Sequence, residues 1–392
     1  MLLPNLDHVS ESYLQSLCDD KCPESQTLEF TLELPSTEKN QELMKDVCAL
    51  ANADGGDLVY GIAEVSGAAS KVVPLTSASL DTAKRRIIQV LDNIEPRVQG
   101  LRVHPIEVSG GYIVIARVPA SFDGPHSYRV ESSRRFVMRN GTSTTDMSFD
   151  QIRTAFDRTA TLADRAHQFI DKRFNAISRG HTWKPFVTGP ICVVALVPIA
   201  GLAGRISVDI AALNTSYEEY MFEDWTHVSK TMNLDGLVVY PNSSADGALA
   251  YSQVYRNGAV EGLRTGAVPG STPPRIPSTV ITKFYRDAVD KFVRASRHRG
   301  FTGPAVLRCA LLSTNGYALA VGQSNDPVGK NVAATDRNDL VLPDVWINAI
   351  EGIEKSEQVD AIVRPMMDVL WQAFDVKRCL EFDMAGNWAP RT

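Results

Sequence analysis

The stretch from residue 28 to residue 62 constrains the fold of this chain most, because its hydrophobic period changes twice. Apolar and polar residues alternate over 28–34, which is the period of a half-buried strand. Apolar residues then recur at helical spacing over 43–51, until Asp54-Gly55-Gly56 ends the helix. A short apolar strand follows at 58–62. The stretch therefore predicts strand, helix and strand in succession.

Similar patterns continue along the chain. An N-cap is expected at Ser36 or Thr37 and a capping box at Ser148 and Gln151, each opening a helix. Asn257-Gly258 between two apolar runs predicts a β-hairpin. Further helices are expected at 80–94, 279–297 and 359–374, the last kinked at Pro365, and further strands at 112–118, 128–139, 191–196 and 305–312. The expected fold class is α+β.

The length of 392 residues suggests two domains. We expect a polar lead-in, a mixed α and β domain over about 20–160, a polar helical connector over 161–184, and a second α+β domain over 185–392. With 44% hydrophobic residues the chain is too apolar to be disordered. The apolar run at 191–203 is too short to span a bilayer, and residues 1–20 lack the features of a secretory signal, so we expect a cytoplasmic protein without a membrane partner.

Charge is distributed unevenly. Residues 1–150 contain 14 Lys and Arg against 21 Asp and Glu, whereas residues 151–200 contain 7 against 3. This balance disfavours a protein that binds nucleic acid through a basic surface overall, so any such binding has to use a local patch. ATP binding is not expected, because the nearest approach to a phosphate loop, at 322–331, has the wrong glycine spacing and lacks the hydroxyl residue.

Two groups of residues could carry chemistry. The first is acidic: Glu24 precedes the first strand, Glu29 lies on its polar face, and Glu64 follows the strand at 58–62. If the two strands pair, the three carboxylates can converge, and Mg²⁺ or Mn²⁺ would relieve their repulsion. The alternative is that all three are solvated surface glutamates.

The second group is cationic and lies at 129–144. Arginine forks suit phosphate, and a glycine turn with hydroxyls can hold an anion. The alternative is an ordinary solvated hairpin, and His126 nearby is either a proton shuttle or structural. The residues predicted to contact nucleic acid are Arg129, Arg134, Arg135, Arg139, Asn140, Gly141, Thr142 and Thr144.

These residues resemble a known family. Glu24-Ser25-Gln26-Thr27-Leu28-Glu29-Phe30, followed by the Leu50-Ala51-Asn52-Ala53-Asp54-Gly55-Gly56 segment and its strand, looks like the Schlafen-type AlbA-like domain. Pro125-His126 and the stretch Arg139-Asn140-Gly141-Thr142-Ser143-Thr144 are similar to later parts of that domain in prokaryotic members. The resemblance covers about residues 20–160.

The resemblance implies a nucleic-acid-binding fold. In members with nuclease activity, a pair of glutamates and a third acid form a metal-dependent endoribonuclease site for transfer or ribosomal RNA. By position these residues are Glu24, Glu29 and Glu64, which stands where the family usually has Asp. Two departures follow: Thr31 replaces a common basic residue, and this chain has one lobe where the active core pairs two, so a complete groove would require a homodimer.

We therefore expect a nucleic-acid-binding protein with RNA favoured over DNA. One hypothesis is a metal-dependent endoribonuclease used in stress response or phage defence. The alternative is a non-catalytic DNA- or RNA-binding regulator whose C-terminal domain is a sensor or dimerisation module, and a third reading is a protein-interaction scaffold.

Overall fold

The structure is a computed structural model that describes the whole chain except residues 1, 4–5, 35–39, 77–79, 99, 122–123, 205, 242–246, 268–273, 302, 322–330, 333–336 and 391–392. It divides into two compact units, residues 1–161 and 162–392. Helices and strands contribute in similar measure to a mixed architecture, which confirms the α+β class. The N-cap expected at Ser36 or Thr37 and nearly all of the 322–331 segment lie outside the described residues.

The first unit contains helices α1 (Glu11–Asp19), α2 (Asn40–Ala51), α3 (Leu80–Leu91) and the beginning of α4 (Phe149–Ser178). Its strands are β1 (Leu28–Thr31), β2 (Gly56–Tyr60), β3 (Ile62–Val65), β4 (Ala68–Val72), β5 (Ile94–Glu95), β6 (Arg102–Val108), β7 (Gly111–Val118), β8 (Ser127–Val130), β9 (Ser133–Asn140) and β10 (Ser143–Asp146).

Two sheets form the framework of this unit. The first has the order β1-β2-β7-β6, in which β1 and β2 pair and are parallel, and the second has the order β10-β9-β8-β5. The first sheet separates two apolar cores. One face meets α2, α3 and the second sheet, and the other face meets α1 and the residues before it.

Three expectations for this unit need correction. The lead-in is not merely polar, because Leu6, Leu14 and Cys18 belong to a core. The strand expected at 58–62 is two strands, because Gly61 turns the chain with φ +101° and a Cβ there would lie 2.5 Å from Ile113 Cδ1. The helix expected to reach Ile94 ends at Leu91, and Ile94 instead begins β5, which pairs with β8.

The capping box at the start of α4 is confirmed. The Gln151 N–H donates to Ser148 Oγ (3.2 Å), and the Ser148 N–H donates to Gln151 Oε1 (2.8 Å). The helix then continues to Ser178, so the last residues of the expected 161–184 connector lie beyond it. No helix among the described residues has both the length and the apolar character needed to cross a lipid bilayer.

The second unit contains the end of α4 and helices α5 (Ile199–Leu202), α6 (Ile210–Leu213), α7 (Ser278–His298) and α8 (Ser356–Gln372). Its strands are β11 (Ile191–Pro198), β12 (Ser229–Met232), β13 (Gly236–Tyr240), β14 (Ala250–Tyr255), β15 (Val260–Thr265), β16 (Arg275–Pro277), β17 (Ala305–Leu312), β18 (Ala318–Ala320), β19 (Asn331–Val332), β20 (Leu340–Val341) and β21 (Val345–Ile347).

Its main sheet is antiparallel, in the order β12-β13-β14-β15-β11-β17-β20, with β21 also paired to β17. The central strands β11 and β17 are buried along their whole length, as their continuous apolar runs predict. The hairpin expected at Asn257-Gly258 is confirmed between β14 and β15, where Gly258 has a positive φ (+79°). Its turn is not the type I′ turn that this dipeptide favours, because Asn257 does not have a positive φ.

Candidate functional site

The acid loop, which we define as residues 24–29, is held in place by its own backbone and by a neighbouring hairpin. Ser25 and Leu28 exchange backbone hydrogen bonds at 3.0 and 3.4 Å. The Glu24 N–H donates to Gly67 O (2.8 Å) in the turn between β3 and β4. The Glu24 carboxylate accepts the N–H of Phe30 (2.9 Å), so the first glutamate of the predicted pair supports the loop that carries it.

The two glycines of the Asp54-Gly55-Gly56 motif have a steric explanation. A Cβ at Gly56 would lie 2.6 Å from Thr27 O in the acid loop, and one at Gly55, whose φ is +70°, would lie 2.5 Å from Ala120 N. The Asp57 N–H donates to Thr27 O (3.0 Å). Glycine is therefore needed for the acid loop to pack against the start of β2.

Glu64 reaches the site from the hairpin of β3 and β4. It is exposed and pairs in register with Ala69, whose N–H donates to Cys22 O (2.9 Å) just before the acid loop. Burial raises the pKa of Glu24 above its ordinary value, and the charges of Glu64 and Glu29 raise it further, against an opposing hydrogen bond from the Phe30 N–H. The charges of Glu29 and Glu64 thus both act on Glu24.

Arg139, on β9, meets the acid loop from the second sheet. Only 3% of its side chain is exposed, and its Nη1 donates to Glu29 Oε2. Its Nη2 donates to Ser25 O (3.4 Å) and its Nε to Gly141 O (3.2 Å). The guanidinium is therefore turned toward Glu29 and the loop backbone, so its contact with a phosphate stays a prediction that this placement does not favour.

Gln26 joins the acid loop to the turn between β9 and β10. Its Oε1 accepts the Gly141 N–H (2.6 Å), and its Nε2 donates to Arg139 O (3.1 Å). One side-chain amide thus bonds the backbone on both sides of Asn140. The acidic and cationic groups of the sequence analysis consequently meet at this turn.

The turn itself is exposed at Asn140, Gly141 and Thr142, whereas Thr144 is partly buried and pairs with Arg139. Gly141 has φ +61°, and no atom lies within 4 Å of a Cβ built on it. Its N–H is bonded to Gln26, so this amide is already engaged within the protein.

The other arginines lie at the opposite end of the β8–β9 hairpin. Arg134 pairs with Glu95 and Arg135 with Asp146, and both arginine side chains are more than two-fifths exposed. Arg129 is exposed and donates from Nε to Glu131 O (3.0 Å). Arg134 and Arg139 are five residue steps apart along β9, about 16 Å at roughly 3.3 Å per step. The predicted arginine cluster is thus divided between two places.

In the structure, the acid loop does not present a set of oxygen ligands that fits a divalent cation. Among the described residues, no group of three His, Cys, Asp or Glu side chains is arranged to hold a metal ion. Glu29 is engaged by Arg139 and Glu24 by the Phe30 N–H, although Mg²⁺ and Mn²⁺ prefer several oxygen ligands together. The Mg²⁺ or Mn²⁺ site at Glu24, Glu29 and Glu64 stays a prediction.

Asp46, on α2, is a carboxylate of this neighbourhood that the sequence analysis missed. Burial raises its pKa to about 7, and the charge of Glu29 adds to the rise while Lys45 and Arg139 oppose it. α2 packs against β9, which follows some 90 residues later in the chain. No local pattern indicates that contact, so only the three-dimensional fold reveals Asp46.

Asn52 and His126, from the motifs behind the family resemblance, are structural. Asn52 Nδ2 donates to His126 O and to Val137 O, both at 2.8 Å, and its Oδ1 accepts the His126 N–H (2.7 Å). The His126 side chain is buried, with Nδ1 2.6 Å from Pro96 O. This placement favours the structural role of His126 over the proton shuttle.

Comparisons with known proteins bear on the first unit. Residues 24–148 match the family described as Schlafen, AlbA_2. The DIP2311 protein from Corynebacterium diphtheriae is 19% identical over 35% of this chain and 26% of its own, with a TM-score of 0.25. The N-terminal domain of a RecG-related protein from Nitrosomonas europaea is 17% identical over 34% of this chain and 88% of that domain, with a TM-score of 0.27.

The matched part thus spans about a quarter of the Corynebacterium protein. No curated protein matches this chain. The family match begins at Glu24, includes the Gly55-Gly56 motif, His126 and the turn at Gly141, and ends at Ser148, immediately before α4. The chain carries a Schlafen AlbA_2 domain at residues 24–148.

Proposed function

We propose that this protein binds nucleic acid through its N-terminal unit. The family match over residues 24–148 carries this proposal. The exposed arginines of the β8–β9 hairpin support it, because their ion pairs with Glu95 and Asp146 are at the surface and cost little to exchange for phosphate. The net charge of −6 limits such binding to a local surface of this kind.

The preferred ligand in this proposal is RNA. The exposed turn at 140–142 lies beside the acid loop, and the ribose 2′-hydroxyl is the group by which a site with hydrogen-bonding side chains can distinguish RNA from DNA. Asn140 and Thr142 offer such side chains. We also propose that the protein acts as a homodimer, because one lobe supplies only one side of a groove.

An electrophoretic shift assay on the full-length protein tests the binding proposal. Transfer RNA, and DNA and RNA oligonucleotides of the same sequence, are compared at low salt. The proposal expects retention of RNA at lower protein concentration than DNA, and it expects retention to weaken as salt rises. Absence of retention for every nucleic acid would overturn the binding proposal and favour a protein-interaction scaffold.

A second candidate function is a divalent-metal-dependent endoribonuclease acting on transfer or ribosomal RNA in stress response or phage defence. The effect of the Glu64 and Glu29 charges on Glu24 favours it, since a divalent metal ion relieves repulsion among carboxylates. The engagement of Glu29 by Arg139 weighs against it. The non-catalytic regulator, with the second unit as sensor or dimerisation module, requires none of these carboxylates.

A cleavage assay distinguishes the endoribonuclease from the non-catalytic regulator. Transfer RNA is incubated with the protein and Mn²⁺, with and without EDTA, beside the double variant Glu24→Ala, Glu29→Ala and the single variant Glu64→Ala. Cleavage that EDTA and the variants abolish supports the nuclease. Binding without cleavage supports the regulator. The variant Glu33→Ala, also an acidic residue near β1, controls for the loss of negative charge.

A further inference from the structure

A buried cation, Arg139 of β9, lies against the acid loop. Several carboxylates repel one another there: the charges of Glu29 and Glu64 act on Glu24, and that of Glu29 acts on Asp46. Arg139 opposes the repulsion at both Glu24 and Asp46. It does so from a buried position on a different sheet, where its charge is weakly screened by water.

The contacts of Arg139 are those of a side chain that fixes geometry. Its Nη1, Nη2 and Nε donate to Glu29, Ser25 and Gly141, which belong to the two segments that form the site. The planar guanidinium has donors in fixed directions, so it can order three acceptors at once, and a lysine ammonium has no such fork.

Gln26 joins the same two segments through its neutral side-chain amide. Its amide bonds the backbone N–H of Gly141 and the carbonyl of Arg139, at 2.6 and 3.1 Å. The segment that carries Glu24 and Glu29 and the segment that carries Arg139 are therefore joined twice, once by an ion pair and once by an amide. No group of metal ligands is found there among the residues that the structure describes.

We propose that Arg139 is a built-in counter-cation that, together with Gln26, fixes the acid loop in the place that a divalent metal ion would otherwise take. Arg139 is a positioning residue that acts through Glu29. The inference does not depend on nucleic-acid binding, because it concerns how the carboxylates are held whether or not nucleic acid binds. It counts against the metal-dependent endoribonuclease and is compatible with the non-catalytic regulator.

Uptake of Mn²⁺, followed by the loss of the electron paramagnetic resonance signal of the free ion, tests the proposal. The wild-type protein is compared with Arg139→Met, with the double variant Arg139→Met, Glu29→Gln, and with Arg134→Met as the matched control. Arg134 is on the same strand and is also ion-paired, but it is exposed. Circular dichroism verifies that each variant is folded.

The proposal expects that Arg139→Met gains a Mn²⁺ site which the wild type and Arg134→Met lack, and that adding Glu29→Gln removes it. A structural role in packing alone would not create metal affinity. Mn²⁺ bound to the wild type in a manner that Glu29→Gln abolishes would overturn the proposal, and so would an Arg139→Met protein that folds without gaining a site.

A measurement on the wild-type protein covers the case in which Arg139→Met does not fold. Thermal unfolding is followed in EDTA and in Mn²⁺, beside Glu29→Gln. The proposal expects the unfolding temperature of the wild type to be the same in both solutions. A rise in Mn²⁺ that Glu29→Gln eliminates would contradict the proposal, because the loop would then depend on a metal ion.

Discussion

Asn52 and His126 are joined by reciprocal hydrogen bonds, the Asn52 amide accepting the His126 N–H at 2.7 Å and donating to the His126 carbonyl at 2.8 Å. The same amide also donates to Val137 O on β9. One buried side chain thus ties the end of α2 to the segment before β8 and to the strand that carries Arg139. The family motif at this position therefore has a structural role, because it stabilises the packing of these three segments.

Replacing Asn52 by alanine should destabilise the first unit. The variant loses three hydrogen bonds to buried backbone groups, and each group left unsatisfied costs about 1–3 kcal/mol. We expect the free energy of unfolding to fall by at least about 2 kcal/mol, measured by urea denaturation. Asn140→Ala, at an exposed turn, should change it little. Equal effects of the two variants would contradict the assignment.

Replacing Gly56 by alanine should disturb the acid loop. The new Cβ would lie 2.6 Å from Thr27 O, so backbone has to move, which costs about 1–3 kcal/mol. The control is Gly67→Ala, where no atom lies within 4 Å and only the positive φ of +73° is unfavourable, at about 1 kcal/mol. Urea denaturation should show the larger loss for Gly56→Ala, and the reverse order would refute the packing argument.

Replacing Asp46 by asparagine should stabilise the protein at alkaline pH. Burial and the charge of Glu29 raise the pKa of Asp46 to about 7, so the folded protein holds a proton that the unfolded chain releases near pH 4. Stability contributed by this proton is fully present below about pH 4 and is lost as pH rises from about 4 to about 7.

Urea denaturation at about pH 5 and about pH 8 checks this direction of the pH dependence of stability. The gain of Asp46→Asn over the wild type should be larger at the higher pH, because the wild type loses stability progressively between about pH 4 and about pH 7. Glu357→Gln, at an exposed position of α8, should show no such difference between the two pH values. A gain for Asp46→Asn that is equal at both would argue against a buried, titrating carboxyl group.

In the second unit, the ion pair of Arg173 and Glu261 should contribute more than surface pairs do. Arg173 donates from Nε and Nη2 to the two Glu261 oxygens at 2.9 and 2.8 Å, and Glu261 is 2% exposed. Glu261→Gln should cost about 2–4 kcal/mol, because a buried pair is broken while Arg173 keeps some access to water. Asp290→Asn, which breaks the more exposed pair with Arg294, should cost under about 1 kcal/mol.

Much of the fold could be predicted because its signals are local. The Asn257-Gly258 turn, the Ser148 capping box and the apolar runs of β11 and β17 each depend on neighbouring residues, and each appears in the structure. The break at Gly61 was missed because an apolar run does not reveal where a glycine turns the chain. The helix α1 was missed because its few apolar residues are separated by polar ones.

The site was predictable only in part, because its contacts join distant segments. The sequence leads to the expectation that Glu24, Glu29 and Glu64 converge. The charges of Glu29 and Glu64 act on Glu24, but no group of three metal-holding side chains is found among the described residues, so the convergence stays a prediction. The sequence also groups Arg139 with Arg134 and Arg135, although Arg139 is buried and the other two are exposed. Alternation along β9 could not separate them, because Arg135 lies on the same face as Val137 and Arg139 and is nevertheless exposed. Nothing local could have indicated Gln26 or Asp46.

The salt dependence of RNA affinity tests the central claim most directly. Fluorescence anisotropy on the full-length protein compares the wild type with the double variant Arg134→Ala, Arg135→Ala. The matched control is Lys283→Ala, Arg294→Ala, which removes the same charge from two exposed ion pairs of α7.

If the N-terminal unit binds RNA through the β8–β9 hairpin, the Arg134 and Arg135 variant binds more weakly, and its slope of log affinity against log salt is smaller by about 1.4, at roughly 0.7 per lost phosphate contact on a single strand. The Lys283 and Arg294 variant keeps the wild-type slope. An unchanged slope in the Arg134 and Arg135 variant, or an equal loss in both, would contradict the proposed interface.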